Sequence, residues 1–284
     1  MNVQVLKLGG ELIETAAARA GVAAMIADVT RAAARRGAGS SSDRAGLIIV
    51  HGGGKAIDAE LARRGIRPKK VDGLRVTDAD TLDAVVAVLA GSANTALVAS
   101  LVAAGVGAVG LTGVDAACGR AVHAAPLTST TGAVVNLGLV GDPAEADPAL
   151  FRTLMTAGYV PVVACLGVDD AGQVLNVNAD VMACRIAAAV GASELTIAGT
   201  TAGVLDAAGR TIAALDTDGM DAMIASGAAN AGMVAKLNAC RAALDAGVGT
   251  VRIVDGKDMV TGTTLMTGAY VGRPALQGRR DKQR

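Results

Sequence analysis

The sequence has 284 residues, a formal net charge of zero and 52% hydrophobic residues, with one Phe, two Tyr and no Trp. The zero net charge argues against a nucleic-acid surface held by charge alone, and the scarcity of aromatic rings argues against stacking platforms for single strands. The four cysteines are widely separated and two histidines complete no zinc set, so we predict a reduced, cytoplasmic protein without a metal site.

Apolar runs that alternate with helix-compatible segments predict an α/β fold with a mainly parallel sheet. Strands are predicted over residues 3–8, 47–50, 108–111, 160–166, 195–198 and, as the final strand, 250–254. Helices are predicted over residues 15–36, 55–63, 147–157, 180–190, 218–226 and 232–246. A further helix begins after Thr77 or Asp78, either of which is a suitable N-cap.

Three other segments have a distinct composition. Residues 119–140 alternate apolar and polar side chains with Thr and Gly, which predicts β-hairpins. Residues 84–114 contain no charged side chain and are long enough to span a bilayer. Polar groups at 91–95 interrupt that stretch, so we predict a buried helix followed by a core strand. The polar segments 40–43 and 278–284 predict a loop and a solvated tail.

Glycine turns follow the first two strands, a double glycine at residues 9–10 and a triple glycine at residues 52–54. Turns without Cβ atoms allow backbone N–H groups to approach an anion, helped by the positive end of a following helix. A tight turn without a ligand has the same pattern. Neither standard phosphate motif fits, because Ala56 stands where a P-loop needs Ser or Thr and Ile57 where a dinucleotide fingerprint needs glycine.

Lysines accompany two glycine positions in separate halves of the chain. Lys7 precedes the double glycine, and Lys236 follows Gly232. Each lysine alone is typical of a solvated surface charge. Together, and with the acidic segment that ends at Asp180, they indicate cations that flank a transferring phosphoryl group, which needs positioned positive charge rather than covalent help.

Five segments together resemble the amino acid kinase family: Lys7-Leu-Gly-Gly10, Val50-His-Gly-Gly-Gly54, Gly73-Leu-Arg-Val-Thr77, Asn176-Val-Asn-Ala-Asp180 and Gly232-Met-Val-Ala-Lys236. They occur in family order and cover nearly the whole chain. The resemblance implies an open three-layer αβα sandwich with a mainly parallel central sheet. It also implies an N-terminal lobe (1–172) that binds an acylated amino acid and forms a homodimer, and a C-terminal lobe (173–284) that binds ATP with Mg²⁺.

The implied activity is ATP-dependent phosphorylation of the γ-carboxylate of N-acetyl-L-glutamate, a step of arginine biosynthesis. Such a carboxylate has a pKa of about 4.3, so it is ionised at neutral pH and needs no general base. The implied catalytic residues are Lys7 and Lys236, which stabilise the phosphoryl group, and Asp180, which orients both lysines. The implied substrate-binding residues are Gly53, Gly54, Arg75 and Asn176. The implied phosphate- or ATP-binding residues are Gly9, Gly10, Thr200, Gly203, Leu205 and Gly232.

Within this assignment, Gly9, Gly10, Gly53 and Gly54 would offer backbone N–H groups to phosphoryl oxygens and the reacting carboxylate. Arg75 would clamp the α-carboxylate of the substrate, since a guanidinium binds a carboxylate in bidentate fashion. Asn176 would hydrogen-bond the acylamino group. The alternative for Arg75 is a surface ion pair with Asp72 or Asp78.

Two positions depart from the family pattern, Thr200 where an aspartate is usual and Val114 where lysine is frequent. Family members inhibited by arginine carry an extra N-terminal helix, whereas a strand begins here at once, so the resemblance implies a dimer that arginine does not inhibit. One alternative activity is phosphorylation of an acylated aminoadipate, which is one methylene longer. Another is an inactive nucleotide-binding sensor, for which Thr200 is the supporting feature.

Overall fold

The computed structural model describes residues 1–36, 45–129, 131–229 and 231–268. The loop predicted at 40–43 and the tail predicted at 278–284 lie outside these residues. The strands are β1 (Asn2–Leu8), β2 (Ala45–His51), β3 (Lys70–Val71), β4 (Leu74–Arg75), β5 (Ala108–Thr112), β6 (Ala121–His123), β7 (Leu127–Thr128), β8 (Val134–Val135), β9 (Val140–Pro143), β10 (Val160–Ala164), β11 (Leu166–Val168), β12 (Val174–Val177), β13 (Glu194–Gly199), β14 (Ala214–Asp216), β15 (Thr250–Asp255) and β16 (Gly262–Met266). The α-helices are α1 (Ala16–Arg36), α2 (Gly54–Arg63), α3 (Ala79–Val86), α4 (Asn94–Ala103), α5 (Ala149–Thr156), α6 (Ala179–Val190), α7 (Thr217–Ala225) and α8 (Ala231–Asp245).

A sheet of eight strands forms the middle layer, in the order β14-β16-β15-β13-β1-β2-β10-β5. The strands from β15 to β5 in this order pair in parallel, and β16 pairs antiparallel with β15. β1 lies between β2 and β13. The carboxyl ends of these three strands therefore meet at one edge, which brings the glycine turns after β1 and β2 beside residue 199.

Helices cover both faces of this sheet. α1 and α4 pack on one face around a core that includes Leu8, Ile49 and Val162. The larger core on the other face receives side chains from α2, α3, α5, α6 and α8. The predicted three-layer αβα sandwich with a mainly parallel central sheet is confirmed, because buried apolar residues on both faces of the central strands require a helical layer on each side.

Short strands form the predicted excursion between residues 119 and 140. β6 pairs antiparallel with β9, and β7 pairs antiparallel with β8, so the hairpin prediction is confirmed. β9 and β12 pair in parallel, and β11 and β12 pair antiparallel, in a second sheet. The expected lobe boundary at 172–173 falls in the turn between β11 and β12.

Two strand predictions are corrected. The predicted strand 160–166 is divided between β10 and β11, which belong to different sheets. The strand at 250–254 is not the final one, because β16 follows it and completes the sheet edge together with β14. Both β14 and β16 are short and lack a continuous apolar run, so their strand conformation depends on pairing with neighbours rather than on local sequence.

The uncharged stretch forms α3, a π-helical turn at Ala87–Ala93 and α4. The carboxylate of Asp78 caps α3 by accepting from the N–H of Thr81 at 2.9 Å. The combined helix Ala79–Ala103 is long and apolar enough to cross a membrane by length and composition alone. Leu89 and Leu97 on its inner face are buried against the core, whereas Val102 on its outer face is 55% exposed. The prediction that this helix is buried is therefore confirmed for its inner face only.

Candidate active site

Two lysines from different elements meet at one carboxylate. Lys7 lies at the end of β1, and its Nζ is 2.8 Å from Oδ1 of Asp180. Lys236 lies on α8, and its Nζ donates a hydrogen bond to Oδ2 of Asp180 at 2.6 Å. The three side chains are between 12% and 20% exposed. The structure therefore brings together all three residues that the sequence analysis expected to be catalytic.

Asp180 is ionised in this setting. Burial disfavours its charged form, but the ammonium groups of Lys7 and Lys236 outweigh burial and lower the pKa of Asp180 to about 2. The carboxylate therefore holds no proton to donate at neutral pH. Since two cations share a single anion, the cluster keeps an excess positive charge that favours a bound phosphate.

The start of α6 fixes the position of Asp180. The side chain of Asn178 caps this helix and accepts from the N–H groups of Asp180 at 2.9 Å and Val181 at 3.3 Å. An acidic residue in the first turn is also favoured by the helix dipole. α8 packs against α6, which carries Lys236 to the same point.

The double and triple glycine turns are in direct contact. A Cβ atom on Gly10 would lie 3.0 Å from Cα of Gly53 and 3.2 Å from N of Gly54, so a larger residue there would require the second turn to shift. The N–H groups of Gly10, Gly53 and Gly54 have no acceptor among the described residues. Gly9 was expected to offer its N–H as well, and this is wrong, because that group donates to the carbonyl of Ala198 at 2.9 Å.

Arg75 is a buried side chain rather than a surface charge, with 7% of its side chain exposed. Its Nη2 donates to Oδ1 of Asp58 at 2.6 Å and to the carbonyl of Gly54 at 3.2 Å. Its Nη1 is buried and has no partner among the described residues. A buried, unpaired guanidinium nitrogen costs free energy unless a ligand accepts from it, so Arg75 has the state expected of an anion-binding group.

Asp58 on α2 belongs to this site and was missed by the sequence analysis. It also accepts a hydrogen bond from Nζ of Lys70 at 2.7 Å. Burial raises the pKa of Asp58, but hydrogen bonds from Lys70 and Arg75 outweigh burial and hold it below its ordinary value. A single aspartate within a helix matches no sequence motif that would indicate a site. The available signal was its i,i+4 spacing from Gly54, which places it on the face of α2 that borders the turn.

Asn176 lies on β12 and lines the same cavity as Arg75. Its Nδ2 donates to Oγ1 of Thr77 at 3.1 Å, and Thr77 in turn donates to the carbonyl of Arg75 at 3.3 Å. Thr77 is fully buried. This chain of hydrogen bonds holds the Asn176 amide and the Arg75 backbone in one arrangement, so the two expected substrate contacts are positioned together.

One cavity of about 280 Å³ joins these groups. Its lining includes residues from β1, both glycine turns, β4, β12 and the start of α6, namely Lys7, Gly9, Gly10, Gly53, Gly54, Arg75, Asn176 and Asp180. Glu11 and Lys70 also line it and were not predicted. Lys236 is not one of the lining residues, but it donates a hydrogen bond to Asp180, which is.

The other expected ATP-binding residues lie outside this cavity. Thr200 follows β13, and its hydroxyl is 3.5 Å from Oε1 of Glu11. Gly203 has a φ of +104°, and a Cβ there would lie 2.7 Å from the backbone N of Thr263 in β16. Its backbone conformation and packing therefore require glycine without any contribution from a ligand. Leu205 is 43% exposed. Gly232 lies in the first turn of α8.

No group of three or more His, Cys, Asp or Glu side chains that could hold a metal ion occurs in the part of the chain that the structure describes. The four cysteines, Cys118, Cys165, Cys184 and Cys240, are buried and free. Burial raises the pKa of Cys165, which lines the cavity, to about 12. Its thiol is therefore protonated at neutral pH and is not a nucleophile.

Known proteins are similar to this chain in sequence and in architecture. The family model described as "Amino acid kinase family" matches residues 2–255. A protein named acetylglutamate kinase from Solibacter usitatus is 41% identical over 268 residues, which cover 94% of this chain and 96% of that protein. Another acetylglutamate kinase, from Symbiobacterium thermophilum, is 45% identical over 214 residues, 74% of this chain and 73% of that protein.

Among solved structures, that of smu.665 from Streptococcus mutans UA159 superposes with a TM-score of 0.75 at 26% identity, covering 93% of this chain and 98% of that one. The match to the family model extends from the first strand through β15, and thus includes the glycine turns and all three residues of the lysine–carboxylate cluster. The chain belongs to the amino acid kinase family.

Proposed function

We propose that the chain is an acetylglutamate kinase, which transfers the γ-phosphoryl group of ATP to the γ-carboxylate of N-acetyl-L-glutamate in arginine biosynthesis. The products are N-acetyl-L-glutamyl 5-phosphate and ADP. The observation that carries this proposal is the convergence of Lys7 and Lys236 on Asp180 beside two contacting glycine turns. Identity of about 40% to acetylglutamate kinases over most of the chain supports the choice of substrate.

The reaction forms a bond from a carboxylate oxygen to phosphorus and breaks the bond from the γ-phosphorus to the oxygen that bridges it to the β-phosphate. No proton moves, because the attacking carboxylate is already ionised at neutral pH. The task of the protein is to bring two anions together and to stabilise the charge that spreads over the phosphoryl oxygens. We assign this stabilisation to Lys7 and Lys236.

Asp180 acts as an orienting group in this mechanism. One carboxylate oxygen contacts each lysine, so both ammonium groups are held at fixed positions before ATP binds. Pre-organised charges stabilise a transition state without reorganising during the reaction. The low pKa of Asp180, about 2, keeps it a permanent anion and not a general acid.

Arg75 and Asn176 are the proposed contacts of the acylated amino acid. Arg75 would direct its unpaired Nη1 to the α-carboxylate, while its bond to Asp58 fixes the plane of the guanidinium. Asn176 would hydrogen-bond the acylamino group. Gly10, Gly53 and Gly54 would direct their unpaired N–H groups at the phosphoryl oxygens and the reacting carboxylate. Gly9 would contribute space rather than a donor.

ATP would bind on the side of the C-terminal half of the chain, against Thr200, Gly203, Leu205 and Gly232. Mg²⁺, when bound, would neutralise phosphate charge, and it characteristically takes its ligands from phosphates, waters and one or two carboxylates. Glu11 fits this requirement, because it lines the cavity and no ion pair to it occurs among the described residues. Asp180 fits this requirement less well, because a lysine Nζ lies within 2.8 Å of each of its oxygens.

We further propose that residues 1–172 form the lobe for the acylated amino acid and residues 173–284 the lobe for ATP. We propose a homodimer formed through the N-terminal lobe, in the cytoplasm. Gel filtration with light scattering tests the dimer, and a mass of one chain at micromolar concentration would contradict it.

The activity is tested by incubating the protein with ATP and Mg²⁺ and with N-acetyl-L-glutamate, with N-acetyl-L-aminoadipate or, as a control, without an acceptor. Hydroxylamine traps the acyl phosphate as a hydroxamate. We expect product with the glutamate compound and at least tenfold less with the longer one, since a methylene is worth about 1–3 kcal/mol. Faster product formation from the aminoadipate compound would reassign the substrate. ATP binding without product from either compound would identify an inactive nucleotide-binding sensor.

A further inference from the structure

A buried polar pair lies behind the triple glycine turn and takes no part in the mechanism described above. His51, the last residue of β2, is completely buried directly before Gly52. Its Nε2 is 3.1 Å from Nδ2 of Asn94, the first residue of α4, and its Nδ1 is 3.1 Å from the carbonyl oxygen of Gly52. Burying a polar group costs free energy unless hydrogen bonds compensate for the lost contact with water, and such a buried network fixes the positions of its members.

The surroundings of Asn94 determine where the imidazole proton is. Nδ2 of Asn94 lies 3.0 Å from the carbonyl of Val162 and 3.2 Å from that of Leu111. Carbonyl oxygens only accept, so the atom that faces them is the NH₂ group and the amide orientation is fixed. Nε2 of His51 faces the same NH₂ group, whose nitrogen does not accept, so Nε2 carries no proton and shares one of the two amide hydrogens with a carbonyl. The single proton of the neutral imidazole is therefore on Nδ1, which donates it to Gly52.

The hydrogen bond to Gly52 also sets the direction of Gly53. The carbonyl of Gly52 and the N–H of Gly53 belong to one planar peptide unit, and in a trans peptide the two groups point in opposite directions. Holding the carbonyl towards His51 therefore aims the Gly53 N–H away from it. This N–H has no acceptor among the described residues, and Gly53 lines the cavity. A glycine–glycine peptide is the least restricted by its own side chains, so an external contact must fix it.

A second contact supports the turn from the same helix. Cδ2 of Leu89 lies 3.0 Å from the position that a Cβ on Gly53 would occupy. Leu89 belongs to the π-helical turn at Ala87–Ala93 and precedes Asn94 by five residues. Residues five apart lie on the same side of a π-helical turn, whereas they diverge in an α-helix. The π-helical turn thus directs both Leu89 and Asn94 at the triple glycine turn.

We propose that His51 is a positioning residue, whose Nδ1–H holds the Gly52 carbonyl so that the Gly53 N–H points at the reacting carboxylate and the transferring phosphoryl group. Asn94 fixes the tautomer that makes this possible. The inference rests on the proposed role of the glycine turn in phosphoryl transfer. Protonation of His51 would place an Nε2–H against the NH₂ group of Asn94. Separately, burial lowers the pKa of His51 to about 4, so the imidazole is neutral at pH 7.

Two substitutions separate the two hydrogen bonds of the imidazole. In His51→Asn the amide nitrogen replaces Nδ1 and keeps the donation to Gly52, whereas in His51→Gln the longer side chain replaces Nε2 and keeps only the contact with Asn94. Hydroxamate trapping gives kcat and KM for both substrates, and thermal unfolding gives the stability of each variant. We expect His51→Asn to retain kcat within about threefold and His51→Gln to lose about tenfold to a hundredfold, at similar stability.

Equal kcat values for the two variants, or activity that follows thermal stability, would overturn the positioning role. Wild-type protein that forms no acyl phosphate would refute the proposed function itself, so the two failures are distinguishable.

If neither variant folds, the tautomer can be measured on the wild-type protein by long-range ¹H–¹⁵N NMR of the imidazoles. The sequence contains two histidines, and His123, which is 51% exposed, is assigned by the loss of its signals in His123→Gln. A proton on Nδ1 of His51 at pH 7 supports the proposal, and a proton on Nε2 overturns it.

Discussion

Replacement of Lys236 by methionine removes one of the two cations on Asp180 while keeping a side chain of similar length. Lys236 donates to Oδ2 at 2.6 Å from a site that is 20% exposed. Asp180 keeps Lys7, so the stability loss is that of one charged hydrogen bond, about 1.5–3 kcal/mol. At about 2–4 °C per kcal/mol for a chain of this size, the melting temperature should fall by about 3–12 °C.

The expected effect on catalysis is larger than the effect on stability. A fixed group that stabilises developing transition-state charge contributes about 10²–10³ in kcat, or about 2.7–4 kcal/mol. Hydroxamate trapping at saturating ATP and N-acetylglutamate measures kcat, and differential scanning fluorimetry measures the melting temperature. The matched control is Arg31→Met, which removes a cation from an exposed helical ion pair with Asp28 and should change stability by less than about 1 kcal/mol and leave kcat unchanged.

The result that would refute the two-lysine mechanism is a folded Lys236→Met protein with kcat within about threefold of wild type. A fall in kcat that is matched by Arg31→Met would also refute it, because the loss would then reflect general charge removal.

Two further predictions concern Arg75 and His51. Arg75→Lys replaces a planar guanidinium, which can bind Asp58 and a substrate carboxylate at once, with a single ammonium group. KM for N-acetylglutamate should therefore rise by about tenfold to a hundredfold while KM for ATP stays unchanged. Equal changes in both KM values would contradict the assignment. The folded-state pKa of His51 is about 4, below the unfolded value of 6.5, so its contribution to stability is complete above pH 6.5 and is lost as the pH falls towards 4. We expect urea unfolding to show a decrease of up to about 3 kcal/mol over this interval, and His51→Asn should lack it.

Local sequence determined the alternation of strands and helices and the position of each glycine turn. Apolar runs such as 47–50 are followed abruptly by glycine, and Asp78 and Asn178 cap the helices that follow them. These signals are local because a cap or a turn depends on the few residues around it. They placed the glycine turns at one edge of the sheet correctly, since the carboxyl ends of parallel strands share one edge.

Tertiary structure alone decided which polar groups are free and which are paired. Gly9 and Gly53 are both glycines after a strand, yet the N–H of Gly9 donates to β13 while that of Gly53 has no acceptor within the described part of the chain. Asp58 became part of the site because the β3–β4 hairpin brings Arg75 and Lys70 onto α2. The strands β14 and β16 exist through pairing with distant neighbours. Hydrogen-bond partners far apart in sequence are set by packing, which local patterns do not encode.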